Sequence, residues 1–259
     1  MKFIKAIDKD IPQLKEIWTN TFNTPKNFVN DFFENRWPID HCYIAKEKDK
    51  IFSVLHCLQF SFSREMNNTD VSYIVGATTL PEMKSQGLCS NLLTLAHQDE
   101  GKILTLYPQF NSFFERHGFY YSSNNVGFKL NGNKKNKVIN EKYDISTIYI
   151  NSTEKTGSLD RDKFSWHSIQ SNCKTIVAED NFEKAYALII DDIAYETMCE
   201  GINSARALKE KLETMNVSQI WMPSNSPLAY LFEAQPVFIP LGMSSEKNIC
   251  ANLYIPEQL

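Results

Sequence analysis

The residues best suited to chemistry lie in one short stretch, Val71–Ser90, where an apolar run passes through a turn into an amphipathic segment. The turn carries Lys84 and Gly87, and Ser90 falls in the first turn of the predicted helix. The N-terminus of a helix offers unpaired N–H groups and the positive end of its dipole, which together suit a phosphate. Gly87 would let the backbone approach such a group, and Lys84 adds a cation. On these residues alone, a phosphate-binding turn and an ordinary strand–turn–helix junction both stay open.

The elements that must position this turn follow the predicted order β-α-α-β-β-β-α-β-α-β. A strand over 71–79 precedes the turn and a helix over 87–98 follows it, since each segment has the matching apolar period. The other elements predicted for the first half are strands over 2–7, 41–46, 51–61, 103–107 and 119–130, helices from Asp10 and over 28–33 and 111–117, and a polar loop over 67–70.

A change of composition divides the chain in two. Residues 131–137 are polar and nearly free of apolar side chains, so we place the boundary between a domain at 1–131 and another at 138–259. The second half then repeats the strand–helix–strand–helix order of the first, without repeating its residues. The elements predicted there are strands over 185–190, 193–197 and 219–222 and helices over 204–215 and 227–234.

Two stretches resemble the signature motifs of the GNAT superfamily of acyl-CoA N-acyltransferases. The run KSQGLC at 84–89 is similar to the acetyl-CoA signature Arg/Gln-x-x-Gly-x-Gly/Ala, and VGATTLP at 75–81 resembles the strand that precedes it in many members. Downstream, FFERHGF at 113–119 is similar to the second motif, Phe-Tyr-x-x-x-Gly-Phe. About 24 residues separate Gly87 from Asn111, a spacing usual for the superfamily. The resemblance covers residues 1–130.

The resemblance implies acetyl-CoA as the acyl donor. Backbone groups of the strand would pair with the pantetheine arm and hold the thioester carbonyl, while N–H groups of the turn would hold the pyrophosphate. The cofactor-binding residues implied in this way are Ala77, Thr78, Thr79, Lys84, Ser85, Gln86, Gly87, Leu88, Cys89 and Asn111. Cys89 stands at a helix start in place of the usual small residue, and we interpret it as a packing residue and not as a nucleophile.

The sequence departs from the GNAT pattern at three positions, Lys84, Phe114 and Tyr73. Lys84 replaces the usual Arg or Gln, which keeps a charge but loses bidentate geometry. Phe114 stands where many members have a tyrosine that protonates the departing CoA thiolate. A thiolate leaves unaided, but more slowly, because thiols have a pKa of about 8.5. Tyr107, Tyr120 and Tyr121 are the alternative proton donors.

The general base cannot be assigned from the sequence. Tyr73 stands where some GNAT members have a carboxylate on the strand. Glu115 and His117 lie beside the site in sequence, and we interpret them as a solvated helix face. In the related tandem proteins the carboxylate of the chain terminus can act as base, which makes Leu259 a candidate.

The whole chain resembles the tandem-GNAT group that includes the enhanced intracellular survival acetyltransferases. In that group an active GNAT domain is followed by a GNAT-like domain without a working cofactor loop. We therefore expect an α/β (α+β) fold of two GNAT-like domains, each a mixed, mostly antiparallel sheet flanked by helices, the second degenerate. The segment 200–203, EGIN, stands where a second cofactor loop would lie, so we expect it to bind no CoA. Many members add a third domain, which we do not expect here because the sequence ends at Leu259.

The composition excludes several other classes of protein. A net charge of −4 gives no basic field for nucleic acid or anionic membranes. The six cysteines and five histidines show neither metal-ligand spacing nor a disulfide framework, so we expect no metal and reduced thiols. The N-terminus lacks the apolar core of a signal peptide, and no apolar run approaches the roughly 20 residues of a membrane span. We expect a cytoplasmic protein.

The function that the resemblance implies is N-acetyl transfer from acetyl-CoA to the primary amine of a small molecule or a peptide, by direct attack. The alternatives are a non-catalytic acyl-CoA-binding or sensing protein, and a GNAT fold that serves only as an interaction scaffold. The aromatic pairs Phe32–Phe33 and Phe60–Phe62 either line an acceptor pocket or belong to the core, and for Phe32 and Phe33 we favour the core. A homo-oligomer is left open.

Overall fold

The computed structural model describes residues 1–37, 39–65, 67–132 and 136–247, and one twelve-stranded sheet runs through these ranges. The strands of the first half are β1 (Lys2–Lys5), β2 (Cys42–Glu47), β3 (Lys50–Arg64), β4 (Asn67–Thr79), β5 (Ile103–Leu106) and β6 (Tyr120–Lys129). The strands of the second half are β7 (Ser158–Leu159), β8 (Lys174–Asp180), β9 (Glu183–Ile190), β10 (Ile193–Cys199), β11 (Gln219–Pro223) and β12 (Val237–Ser244).

Helices flank this sheet in both halves of the chain. Those of the described ranges are α1 (Ile11–Phe22), α2 (Lys26–Asn35), α3 (Leu88–Glu100), α4 (Asn111–Glu115), α5 (Ser146–Thr153), α6 (Lys163–Asn172) and α7 (Ile202–Glu213). None of the helices described is long and apolar enough to cross a membrane.

The sheet is mixed and mostly antiparallel, which confirms the predicted fold class. Its strand order is β1-β2-β3-β4-β5-β12-β6-β11-β10-β9-β8, with the short β7 paired to β3. Only the pairs β4–β5 and β10–β11 are parallel among the strands described.

The two predicted sheets are joined into one, because the halves exchange strands at their junction. β12 of the second half lies between β5 and β6 of the first, and β6 pairs on its other side with β11. The hydrophobic cores of the two halves also exchange residues in this way. Phe128 of β6 packs in the core of the second half, and Met243 of β12 packs in that of the first. The second half therefore supports the end of β5 directly.

Two hydrophobic layers cover opposite faces of the first-half sheet. α1 and α2 form one layer, in which Trp18 shares a core with Tyr73 of β4. α3 and α4 form the other, which includes the neighbouring residue Ile74, as expected for a strand whose side chains alternate between faces. Phe32 and Phe33 are 2% and 7% exposed in the first layer, so their interpretation as core residues is correct.

One predicted loop is wrong. Residues 67–70 begin β4 and pair antiparallel with Ser61–Arg64 at the end of β3. Their polar side chains are compatible with a strand because three of the four, Asn67, Asn68 and Asp70, are exposed to solvent. Ser63 Oγ also donates a hydrogen bond to Asn68 Oδ1 at 2.8 Å, so polar groups pair across the ladder.

Candidate active site

β4 and β5 diverge at one end of their shared ladder. Their parallel pairing ends at Ile74 and Leu106, where β5 itself ends, whereas β4 continues to Thr79. Among the described residues, no strand pairs with this side of β4 beyond Ile74. The peptide groups of 75–79 therefore form an open edge that can hydrogen-bond to an extended ligand.

β4 also carries a bulge at Gly76–Ala77, where two residues stand opposite Leu55 of β3. Gly76 has a φ of +58°, in the left-handed region that favours glycine. A Cβ at this position would overlap the ring of Trp18 on α1. Because a bulge bends and twists its strand, Gly76 both redirects the end of β4 and lets Trp18 lie against the backbone.

Replacing Gly76 with alanine is expected to lower the free energy of unfolding by about 2–5 kcal/mol, from left-handed strain plus the overlap with Trp18. Gly101→Ala is the matched control, because Gly101 has the same φ of +58° and no heavy atom within 4 Å of its Cβ position. The control should lose only about 1–2 kcal/mol. Urea denaturation measures both values, and equal losses would show that Trp18 does not constrain the bulge.

A cleft of about 280 Å³ lies where β4 and β5 diverge, and residues from both faces of the sheet line it. Its lining includes Trp18 and Phe22 of α1, residues 73–77 of β4, Tyr107 and Phe114 of α4. Tyr107 packs against the core of the α1–α2 layer, and Phe114 belongs to the core of the α3–α4 layer. The cleft therefore connects the α1 face of the sheet with the α3–α4 face.

The N-terminus of α3 follows the bulged strand and carries no side-chain cap. Gly87 precedes it with a φ of +75° and no heavy atom within 4 Å of its Cβ position, and Ser85 is also left-handed, with a φ of +62°. Lys84 and the rest of the turn up to Gly87 are exposed. The first N–H groups of a helix have no partner within it. An exposed turn with free N–H groups and a lysine can hold a phosphate.

The residues predicted to bind the cofactor follow one continuous path along β4 and into α3. Ala77 lines the cleft, and the Thr78 carbonyl accepts a hydrogen bond from Ser53 Oγ at 2.8 Å. Cys89 lies in the first turn of α3, where burial raises the pKa of its thiol to about 11. The thiol is therefore protonated at neutral pH, which supports packing over nucleophilic attack. Asn111 begins α4, the helix that carries Phe114.

The candidate proton donors differ in whether they line the cleft. Phe114 is 7% exposed and lies edge-on to Phe119. Of the three tyrosines considered as replacements for a hydroxyl at 114, Tyr107 lines the cleft. Tyr120 and Tyr121 are 43% and 41% exposed and are not among its described lining residues, and a hydrogen bond to Glu115 raises the pKa of Tyr121.

Glu115 and His117 are not among the described residues that line the cleft. Glu115 is exposed, and His117 Nδ1 lies 2.7 Å from the carbonyl oxygen of Phe113 in its own helix. Tyr73 does line the cleft, whereas Leu259 lies outside the described residues. Among the described lining residues there is neither a carboxylate nor an imidazole. In the same described ranges, no three His, Cys, Asp or Glu side chains form a metal-type cluster.

In the second half, the helix that corresponds to α3 is α7, and a carboxylate of the same chain is already bound at its N-terminus. Oε2 of Glu183 accepts hydrogen bonds from the N–H groups of Asn203 and Ser204, at 2.9 and 3.2 Å, at the N-terminus of α7. A Cβ on Gly201 would overlap the same carboxylate. Glu183 thus fills the place that a phosphate would need, a contact that the motif comparison at 200–203 could not reveal.

A buried carboxylate anchors the other end of α3. Glu100 Oε1 accepts a hydrogen bond from Tyr43 at 2.6 Å and lies 2.8 Å from His41 Nδ1, and Oε2 accepts from Ser72 and Gln59 at 2.7 and 3.0 Å. Burial raises the pKa of Glu100, but these hydrogen bonds together outweigh it and leave the pKa below its ordinary value. The network fixes α3 against β2, β3 and β4 and so sets the direction in which its N-terminus points.

His56 of β3 is another residue of a type that can take part in catalysis, and no motif in the sequence identifies it as a candidate. It is fully buried beside Trp18, and its Nδ1 accepts a hydrogen bond from Trp37 Nε1 at 2.9 Å. Burial lowers the pKa of His56 to about 3, so the ring is neutral at physiological pH. Its ring lies next to Gly76 in the bulge of β4. His56 is not among the described residues that line the cleft.

Comparisons with known proteins agree with this geometry. Residues 2–122 match the family model of the acetyltransferase (GNAT) domain. These matched residues contain the bulged strand, the cleft and the turn before α3. No curated protein sequence matches the chain.

Solved structures extend the likeness in fold through the second half. A GCN5-related N-acetyltransferase from Kribbella flavida has a TM-score of 0.71 at 14% identity, over 94% of this chain and 71% of the other. Eis1 from Mycobacterium abscessus has a TM-score of 0.71 at 10% identity, over 94% and 73%. A GCN5-related N-acetyltransferase from Anabaena variabilis has a TM-score of 0.66 at 12% identity, over 94% and 72%.

Proposed function

We propose that this protein transfers an acetyl group from acetyl-CoA to a primary amine by direct attack. The observation that carries the proposal is a continuous path of donors, in which the open edge of β4 at the cleft leads directly to the uncapped N-terminus of α3. A thioester at the cleft and a pyrophosphate at the helix would occupy the two ends of that path. Both ends lie within the residues that match the acetyltransferase (GNAT) domain.

The chemistry needs few groups from the protein. The amine nitrogen forms a bond to the thioester carbonyl carbon, the C–S bond breaks, and its electron pair leaves on the CoA sulfur. The nitrogen loses one proton, and the thiolate finally gains one. Backbone N–H groups of the open edge at 77–79 would stabilise the oxyanion formed on attack, a contribution of about 3–4 kcal/mol per donor in other acyl transfers. Lys84 and the N–H groups up to Cys89 would hold the pyrophosphate.

A non-catalytic acyl-CoA-binding or sensing protein is the second candidate function. Phe114 favours it, because a phenyl ring lines the cleft where a proton-donating tyrosine would assist the departing thiolate. The absence of a carboxylate or imidazole from the described lining residues favours it too. Both candidate functions require acetyl-CoA to bind, but only the acetyltransferase would turn it over in the presence of an amine.

Calorimetric titration with acetyl-CoA should give one site per chain, because Glu183 occupies the N-terminus of α7 while that of α3 is free. A stoichiometry of two would contradict this prediction. Thiol release in a mixture of primary amines then separates the candidates, since a sensing protein would bind without turnover. If acetyl-CoA does not bind at all, both candidates fail.

Several narrower predictions accompany the proposal. The acceptor is either a small-molecule amine or a peptide amine. A cytoplasmic location, a homo-oligomer and the division at 131–138 stay predictions from the sequence. The role of Leu259 as a candidate base is likewise a prediction from the sequence.

A further inference from the structure

The two openings of the cleft differ in what they can admit. The phosphate-binding turn lies at α3, so an acyl donor held there reaches the cleft from the α3–α4 face. The acceptor must then enter from the α1 face. Trp18 and Phe22 of α1, Tyr73 and Tyr107 surround that opening, and Phe110 stands at its rim, 72% exposed. The acceptor side of the cleft is therefore built mainly from aromatic rings.

No charged side chain occurs among the described residues that line the cleft. Its polar side-chain groups are the hydroxyls of Tyr73 and Tyr107, the amide of Gln109 and the indole N–H of Trp18. A single ammonium group is attracted to the faces of aromatic rings. A second or third ammonium on the same molecule would lose its water without meeting a carboxylate, which is costly. The lining thus favours an amine with one positive charge and an apolar body.

An apolar cleft also helps the amine to react. Attack on a thioester needs the free base, and removal of an ammonium from water lowers its pKa because burial disfavours the charged form. Burial of the ammonium in the cleft would therefore favour transfer of its proton to water before attack, without a carboxylate or imidazole beside it. This agrees with the set of described lining residues, which contains neither.

On this basis, and resting on the proposed function, we propose that the acceptor is a small monoamine whose primary amino group is attached to an aromatic or similarly apolar group. The cleft volume of about 280 Å³ suits a small molecule that shares the space with a thioester. The ring of the acceptor would stack between Phe22 and Phe110, with its amine directed toward the open edge of β4.

The test compares amines at a fixed concentration of acetyl-CoA, with thiol release as the readout. The panel is 2-phenylethylamine, tryptamine, putrescine and the tripeptide amide Phe-Ala-Ala with a free N-terminus. We expect kcat/KM for 2-phenylethylamine to exceed that for putrescine by at least about tenfold, since one unpaired charge and one aromatic contact distinguish them. Hexanoyl-CoA replaces acetyl-CoA in a second arm.

Phe110→Asp places a carboxylate at the exposed rim, so it should reduce the preference for 2-phenylethylamine over putrescine about tenfold. Phe182→Asp is the matched control, because Phe182 is 94% exposed at the turn between β8 and β9. The control should leave both rates and the preference unchanged. A shift in Phe110→Asp alone supports the proposal.

Four results would overturn the inference: putrescine preferred or equal, the peptide preferred tenfold, hexanoyl-CoA preferred over acetyl-CoA, or no amine turned over although acetyl-CoA binds. The third would assign the aromatic lining to the acyl chain, and the fourth would favour the sensing protein. The fourth result, like failure of acetyl-CoA to bind in calorimetry, would overturn the proposed transfer itself, whereas the first three overturn the acceptor assignment and leave acyl transfer intact. The two failures are therefore distinguishable.

Discussion

Replacing Gly87 with glutamate is expected to abolish acetyl-CoA binding while the chain stays folded. Gly87 stands immediately before α3, exposed and with open space around its Cβ position, so a new side chain fits without displacing the core. Its carboxylate would lie at the free N–H groups and would repel the phosphates that they are proposed to hold. We expect calorimetry to show a loss of affinity of at least about a hundredfold, or roughly 2.7 kcal/mol.

Gly101→Glu is the control for that variant. Gly101 ends the same helix with a φ of +58° and equally open surroundings, so the substitution adds the same charge and similar strain at the wrong end of α3. Acetyl-CoA affinity should be unchanged there. The second half already shows the arrangement that the variant would create, because Glu183 caps α7 with its carboxylate. Wild-type affinity in folded Gly87→Glu would remove the turn from the binding site.

The turn could be predicted from the sequence because everything it needs is local. A strand, a glycine with positive φ and a helix start follow one another within twenty residues, and each has its own signature in residue type. The same holds for Gly118, which lies in the turn after α4 and has a φ of +81°. The order of elements in the first half and the mixed, mostly antiparallel sheet were predictable for this reason.

Features that depend on distant residues could not be predicted in this way. The cleft brings Trp18 and Phe22 to residues 73–77, and only the folded chain shows that the helical stripe of α1 faces the open end of β4. Glu183 lies about twenty residues before the N–H groups that it caps, with β10 between them. No periodicity connects such pairs.

Two elements that were not predicted from the sequence, α5 and β12, contain residues whose intrinsic propensities disfavour the secondary structure that they adopt. α5 has the sequence STIYINST, rich in β-branched and hydroxyl residues that disfavour helix, and it forms because Ile148 and Tyr149 are buried against the sheet. β12 contains Pro240 and Gly242, and irregular register accommodates both of them opposite β6. Tertiary packing outweighs propensity at both places.

Replacing Phe114 with tyrosine is expected to raise kcat by about tenfold or more with little change in acetyl-CoA affinity. The ring lines the same cleft as Ala77, and the substitution adds one oxygen to a ring of the same shape. Protonation of a leaving thiolate by a positioned acid typically contributes about 10²–10⁴-fold, so a chain without that acid has room to improve. Initial rates of thiol release with saturating amine measure kcat, and calorimetry measures the affinity.

The outcome of Phe114→Tyr is interpreted together with Tyr107→Phe, because Tyr107 is the candidate donor that already lines the cleft. If Tyr107 supplies the proton, its loss should lower kcat about a hundredfold, and Phe114→Tyr should restore most of the rate in the double variant. A rate within twofold of wild type in both single variants would mean that thiolate departure does not limit turnover. A lower rate in folded Phe114→Tyr would contradict the proposed role of position 114, since the phenyl ring would then serve to pack against the substrate.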